Sequence, residues 1–328
     1  MTNTTLKKIS EILGLSISTI SRALKNHPDI SEKTKQKVVE LAAMLDYEPN
    51  VNAIHLRTKK NNVFGLIVPA ISNYFYDSFI ASVEEESRKN NFSLMILQSS
   101  DKPEIELENI KLCRQNRITG LFACLSSGTQ NIDAFTKLKD QEIPVIFFDK
   151  VPDADNCNKV CVADALSATL AAKAILSAKK KKILAIFGSP QLLITKKRLA
   201  AFKETCNAEH NKISLYTAHV SSAKDAEIVA DEYLNKKPDT IFCMSDEILI
   251  GVMKSIQKRK MTIPKDIAVI AISNGFIPKL YYPEITYVET SGYELGKLAF
   301  SGMMACLGGS TFYQDITTNA FLVKGGSL

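Results

Sequence analysis

Between residues 63 and 272, apolar runs of strand length alternate with amphipathic stretches of helix length. This alternation confines most of the chain to parallel sheets covered on both faces by helices. The first series has strands over 63–69, 92–98, 120–125 and 145–149, with helices over 78–89, 104–117 and 132–139. A second series follows, with helices over 165–178, 196–209, 223–234 and 247–259 and strands over 183–187, 214–218, 240–244 and 267–272. Loops at the C-terminal ends of such strands are where ligand groups gather. With 328 residues, 45% of them hydrophobic, the chain can form one small and two mid-sized packed units.

The first fifty residues read differently. Leu6, Ile9, Ile12 and Leu13 recur at helical spacing, Thr4 or Thr5 can cap that helix, and Gly14 follows where a left-handed residue is needed. Leu15 can drop into a core, Ser16 is placed as the N-cap of a second helix, and Ile20, Ala23 and Leu24 form the inner face of that helix. Ile17, Ser18, Ser21 and Arg22 are left outside, as in a recognition helix, whose N-terminal residues reach base edges. Arg22 suits guanine or a phosphate. A third helix, with Ser31 at its start, buries Val38, Leu41, Ala42 and Leu45 and ends at Tyr47-Glu48-Pro49. Residues 1–60 hold ten Lys or Arg against six Asp or Glu, net +4 in a chain that is +6 overall, so the excess positive charge sits where phosphates would be met.

On these motifs the chain resembles the LacI/GalR (lactose-repressor) family of bacterial transcription regulators, from Thr5 almost to Leu328. Residues 15–24 resemble the family's recognition helix, and Asp46-Tyr47-Glu48-Pro49-Asn50 resembles the junction into its hinge. The resemblance implies a helix-turn-helix headpiece over 1–49, a hinge helix and linker over 50–60, and a two-lobed effector-binding and dimerisation core over 61–328. The N-lobe would take about 61–160 plus 291–320, and the C-lobe about 161–290 plus 321–328. The lobes would be doubly wound like a periplasmic binding protein, with chain crossings near 150–160, near 288–291 and close to the C-terminus. Ile17, Ser18 and Arg22 become base readers, with Thr5, Ser16, Thr19, Ser21 and Asn26 also on the DNA side. Asn50, Ala53, Leu56 and Arg57 fall in the hinge, Leu56 at the position of a minor-groove wedge.

The same resemblance assigns an effector pocket to Ser72, Asn73, Phe75, Asp149, Arg198, Ser245, Asp246, Ser273 and Thr290. Several family groups are replaced: an acid by Ala70, an acid pair by Ser273-Asn274, a glutamine by Thr290 and a glycine by Ala201. Fewer carboxylates and amides weaken the grip on neutral sugar hydroxyls, while Lys150, Lys197 and Arg198 suit an anion. The expected effector is a sugar or a sugar phosphate.

The expected protein is a cytoplasmic, operator-binding homodimer. Its pairing helices would lie over 74–90 and 246–260, and no leucine-heptad tail follows residue 324. No apolar run approaches a membrane span and the first residues are too polar for a signal peptide. Seven scattered cysteines suggest ordinary thiols, without metal or cofactor. The βα units lack a Gly-rich phosphate loop and a nucleophile elbow, so no enzyme is expected. A solute-binding protein would share the clamshell but would have no use for a basic helix-turn-helix. A regulator that has lost its effector also fits the altered pocket.

Overall fold

A computed structural model describes residues 5–47, 61–208, 213–310 and 312–328. The chain forms two compact units, residues 1–61 and 62–328.

In the small unit, α1 (Leu6–Leu13) is capped by the Thr5 hydroxyl, which accepts from Lys8 N, and ends at Gly14 with φ 63°, a conformation that glycine adopts without strain. Helix α2 (Ile17–Leu24) starts at Ser16, whose hydroxyl accepts from Thr19 N. Helix α3 (Glu32–Met44) starts at Ser31, which accepts from Thr34 N. Ile9, Ile20, Ala23, Val38 and Ala42 form the core, with Leu6, Leu13, Leu15, Leu24 and Leu41 packed around it. Ile12 departs from expectation, being 53% exposed. At about 100° per residue it lies roughly a quarter turn from the stripe made by Leu6, Ile9 and Leu13. The hinge positions Asn50, Ala53, Leu56 and Arg57 lie outside the described residues.

The large unit holds two six-stranded sheets of matching topology. The first runs β11-β5-β4-β3-β1-β2 and the second β12-β10-β9-β8-β6-β7. In the first, β1 (Val63–Val68), β2 (Ser93–Gln98), β3 (Gly120–Ala123), β4 (Val145–Phe148), β5 (Asn158–Cys161) and β11 (Asp315–Thr317) all pair in parallel. Helices α4 (Tyr74–Lys89), α5 (Pro103–Gln115), α6 (Asp133–Lys139) and α11 (Gly292–Leu307) cover it. The second sheet contains β6 (Lys182–Phe187), β7 (Ser214–His219), β8 (Thr240–Cys243), β9 (Ala268–Ser273) and β10 (Thr286–Glu289), with β12 (Phe321–Val323) antiparallel at its edge. Its helices are α7 (Asp164–Ser177), α8 (Leu193–Asn207), α9 (Ala223–Leu234) and α10 (Asp246–Lys258). Strands β1, β3, β6, β8 and β9 are buried almost throughout, which is why their sequences read as continuous apolar runs.

Three short segments carry the chain between the sheets: residues 162–163 after β5, 290–291 after β10 and 318–320 between β11 and β12. The first lies just beyond the 150–160 expected, because 158–161 still pair as β5 in the first sheet. Helix α4 begins a turn earlier than its polarity pattern suggests, because the side-chain amide oxygen of Asn73 accepts from Phe75 N and Tyr76 N and caps the helix there. The hydrophobic pattern of the sequence does not mark β5, β10, β11, β12 or α11.

Helices α9 and α10 are in close contact at Gly251, where a Cβ would stand 2.1 Å from the Ala223 carbonyl oxygen and 2.7 Å from Ala226 Cβ. Alanine is the better helix former by about 1 kcal/mol, but the obstacle is backbone and overpacking wins. Gly251→Ala is therefore expected to lose about 1–3 kcal/mol net of unfolding free energy. An unchanged or raised urea midpoint would show that the two helices can separate freely.

Candidate functional sites: a helix face and an interlobe cleft

In the small unit, burial of Ile20 and Ala23 fixes the rotation of α2. Ile17, 47% exposed, Ser18 and Arg22 are left on the surface, with Thr19 and Ser21 half-buried beside them. The Ser16 hydroxyl lies 2.7 Å from Ser18 Oγ and 2.8 Å from Thr19 Oγ1, so the first turn carries a linked group of hydroxyls. Arg22 Nη1 is 3.7 Å from Asp29 Oδ2, but both side chains are mostly exposed, and such a pair holds the guanidinium weakly. Thr5 and Ser16 act within the protein as caps that present helix N-termini, which favour anions. Asn26, exposed, takes a left-handed φ of 54° just after α2.

In the large unit, the C-terminal ends of both sets of strands face a cavity of about 550 Å³. Of the residues assigned to it from sequence, Asn73, Phe75, Asp149, Arg198, Ser245, Asp246, Ser273 and Thr290 line it. Ser72 does not; it is exposed in the bend before α4. Lys197 is exposed and also outside the cavity, while Lys150 lines it.

Both cations that line the cleft have carboxylate partners. Arg198, 5% exposed, donates from Nε to Asp164 Oδ1 at 2.9 Å and from Nη1 to the Met244 carbonyl at 2.8 Å. Asp164, at the start of α7, carries no sequence signal of this role, although a buried guanidinium demands such a partner. Burial raises the Asp164 carboxyl to about 6, more than Arg198 lowers it. Lys150 Nζ lies 2.9 Å from Asp101 Oδ1 and 3.1 Å from Ser127 Oγ. Burial disfavours this ammonium, but Cys124, Asp101 and Asp149 outweigh it and hold Lys150 above its ordinary range. Burial likewise opposes ionisation of Asp101, yet Lys150 and Ser127 bring its carboxyl below the usual value.

The acids are arranged differently. Asp149 accepts from the Tyr76 hydroxyl at 2.8 Å. Burial, then Asp149 and Cys124, push that phenol well above its normal range, so it stays a donor. Asp246 accepts from Ser273 Oγ and, at 3.1 Å, from Asn274 N. Burial raises its carboxyl despite these two donors. Ser273 and Thr290 are almost wholly buried, and the Thr290 hydroxyl turns to the Ser273 carbonyl. They are therefore backing groups, which sequence alone could not separate from ligand contacts. Ser245 caps α10 by accepting from Ile248 N.

Asn274 ties the lobes together. Its amide nitrogen donates to the Tyr74 carbonyl at 3.0 Å and Ser78 Oγ at 3.2 Å, and its oxygen accepts from Gly292 N at 2.9 Å. Beside it, the rings of Tyr74 and Phe276 stack at 5.2 Å. Asn274→Asp keeps the shape and removes the donor facing a carbonyl. It is expected to cost about 1–3 kcal/mol at pH 7, with partial recovery as the new carboxyl protonates in acid. Urea titrations at pH 7 and pH 4.5 check this, and a full-strength variant at pH 7 would remove the latch from the account.

Comparison with known proteins agrees with this fold. A family model described as periplasmic binding proteins and sugar binding domain of the LacI family matches residues 61–319, and one for bacterial regulatory proteins of the lacI family matches residues 5–50. The transcriptional regulator RegA of Clostridium saccharobutylicum is 25% identical over 93% of this chain and 92% of its own length. The ribose operon repressor of Haemophilus influenzae is 27% identical over 92% and 91%. The structure of the lac repressor dimer bound to operator and the anti-inducer ONPF superposes with a TM-score of 0.88 over 99% of both chains at 18% identity. Among the described residues no helix is long and apolar enough to cross a membrane. With both of its units matched in order, the chain belongs to the LacI family of bacterial transcriptional regulators, which are not enzymes.

Proposed function

We propose that the protein is a repressor that binds a palindromic operator as a homodimer and is controlled by a small polyhydroxylated effector in the interlobe cleft. The observation that carries the DNA reading is the α2 surface, where Ile17, Ser18 and an Arg22 held only weakly by Asp29 stand out from a helix rotated by its own core. One such headpiece reads only a few base pairs, so useful specificity requires two, related by a dimer axis. The repressor names among the relatives support the same reading. The hinge residues Asn50, Ala53, Leu56 and Arg57 enter through the family resemblance, with Leu56 as the wedge.

For the effector, the charges of the cleft favour a neutral sugar over a sugar phosphate. Arg198 and Lys150 are matched by Asp164 and Asp101, while Asp149, Asp246 and Glu247 add negative charge to the lining. A phosphate would meet more repulsion than attraction there. Asp149, Asn73 and the remaining N–H groups of Arg198 supply acceptors and donors of the kind that hold vicinal hydroxyls.

Selection of duplexes from a random library by the full-length protein at near-physiological salt should recover one palindrome. Arg22→Ala should then cost about 1–3 kcal/mol on that site and relax one position per half-site. Equal weakening on random and selected DNA would make Arg22 a phosphate contact, and sequence-blind recovery by the parent protein would overturn the reading. In a thermal-shift screen, neutral sugars should raise the melting temperature where their phosphates do not. Stabilisation by phosphates alone would reverse the effector assignment.

A further inference from the structure

The parallel strands of the second sheet point their C-terminal ends into the cleft, so β6, β7 and β8 all start at the opposite pole of the C-lobe. Two turns there lie against each other. Asp239 N donates to the Lys182 carbonyl at 2.8 Å, and Asp239 Oδ2 accepts from the backbone N–H of Lys181 at 2.7 Å and of Lys182 at 3.1 Å. The first turn brings Lys179, Lys180, Lys181 and Lys182, and the second brings Lys236 and Lys237. Among the described residues none of the six makes an ion pair with a carboxylate, since Asp239, the acid between them, faces the backbone. Lys236 Nζ rests 4.0 Å from the ring centre of Tyr233 and 5.6 Å from that of Tyr216. Lys179 and Lys237 take left-handed φ values of 57° and 53°, so each turn places a lysine where glycine or asparagine would fit with less strain.

We propose that this lysine pole is a second DNA-binding surface, which takes duplex DNA by its phosphates without regard to sequence. The chemistry is that of a counterion-releasing surface: flexible ammonium groups at high density, without arginine forks for base edges. An acidic protein partner would want an apolar anchor amid the charge, and the two tyrosine rings of the patch are covered by Lys236. The pole is remote from the place where the chain joins the core. That place, ahead of β1 at Val63, lies at the end of the N-lobe away from the cleft. The proposal rests on the large unit alone, and it stands whether or not the helix face of α2 reads bases.

The test uses the full-length protein with a 30-base-pair duplex of random sequence carrying photo-crosslinking groups. Peptides containing residues 179–182 and 236–237 should be recovered on the DNA together with peptides from the first sixty residues. The triple variant K180E/K181E/K236E should lose the former crosslinks and bind the duplex more weakly, with a log–log salt slope shallower by about 3. K180R/K181R/K236R should keep the crosslinks, separating loss of charge from loss of fold. Crosslinks confined to the first sixty residues, or an unchanged slope in the glutamate variant, would overturn the proposal.

Discussion

A guanidinium buried under a ligand cleft must be neutralised, and the arrangement of this core follows from how Arg198 meets that demand. Its Nε is held by Asp164 and its Nη1 by the Met244 carbonyl, so one side chain on α8 is pinned to the start of α7 and to the end of β8. Such a pair contributes little net stability, because desolvation offsets the attraction, but removing either partner leaves an unpaired buried charge. What the pair fixes is direction. Arg198 belongs to the cavity wall, as does the hydrogen-bonded Asp149–Tyr76 pair contributed by the other lobe.

The other polar groups of the cleft divide into those that face the cavity and those that support them. Lys150 seemed from sequence to be an attractor of anions, yet it is satisfied by Asp101 and Ser127. Ser273 stands where the family resemblance implied a carboxylate and donates to Asp246, so the acid that remains at this end of the cleft is the one at the start of α10.

Much of the architecture was legible because it is local. Gly14, Ser16 and Ser31 mark helix ends whatever surrounds them, and β1, β6 and β9 declare themselves by continuous burial. The segments that escaped notice are those defined by distant partners. Strands β11 and β12 have three residues each and exist through pairing with β5 and β10, far away in sequence. Helix α11 is apolar on most sides, and Gly292 and Gly296 are chosen by closeness to α4, so no helical stripe appears. The site was readable at the same level. Asn73, Asp149 and Arg198 end or begin recognisable elements, whereas the partnerships Arg198–Asp164 and Lys150–Asp101 span 34 and 49 residues, and no spacing rule reaches so far. Ser72 shows the converse: adjacency to a capping residue does not turn a side chain inward.

The three crossings all leave from the edge formed by β5 and β11 in one sheet and β10 and β12 in the other, whereas β2 and β7 occupy the far edges. The core is therefore a jaw with its fulcrum along one margin. Rotation about that margin moves Asp149 and Arg198 little, while Gln98 and Ser100 on one side and Ser221 and Ser222 on the other travel furthest. The mechanical advantage of a bound molecule thus depends on its reach toward the open margin. A small ring seated near the fulcrum must act through strong, short hydrogen bonds, and a longer molecule touching the β2 and β7 side can draw the lobes together with far weaker ones.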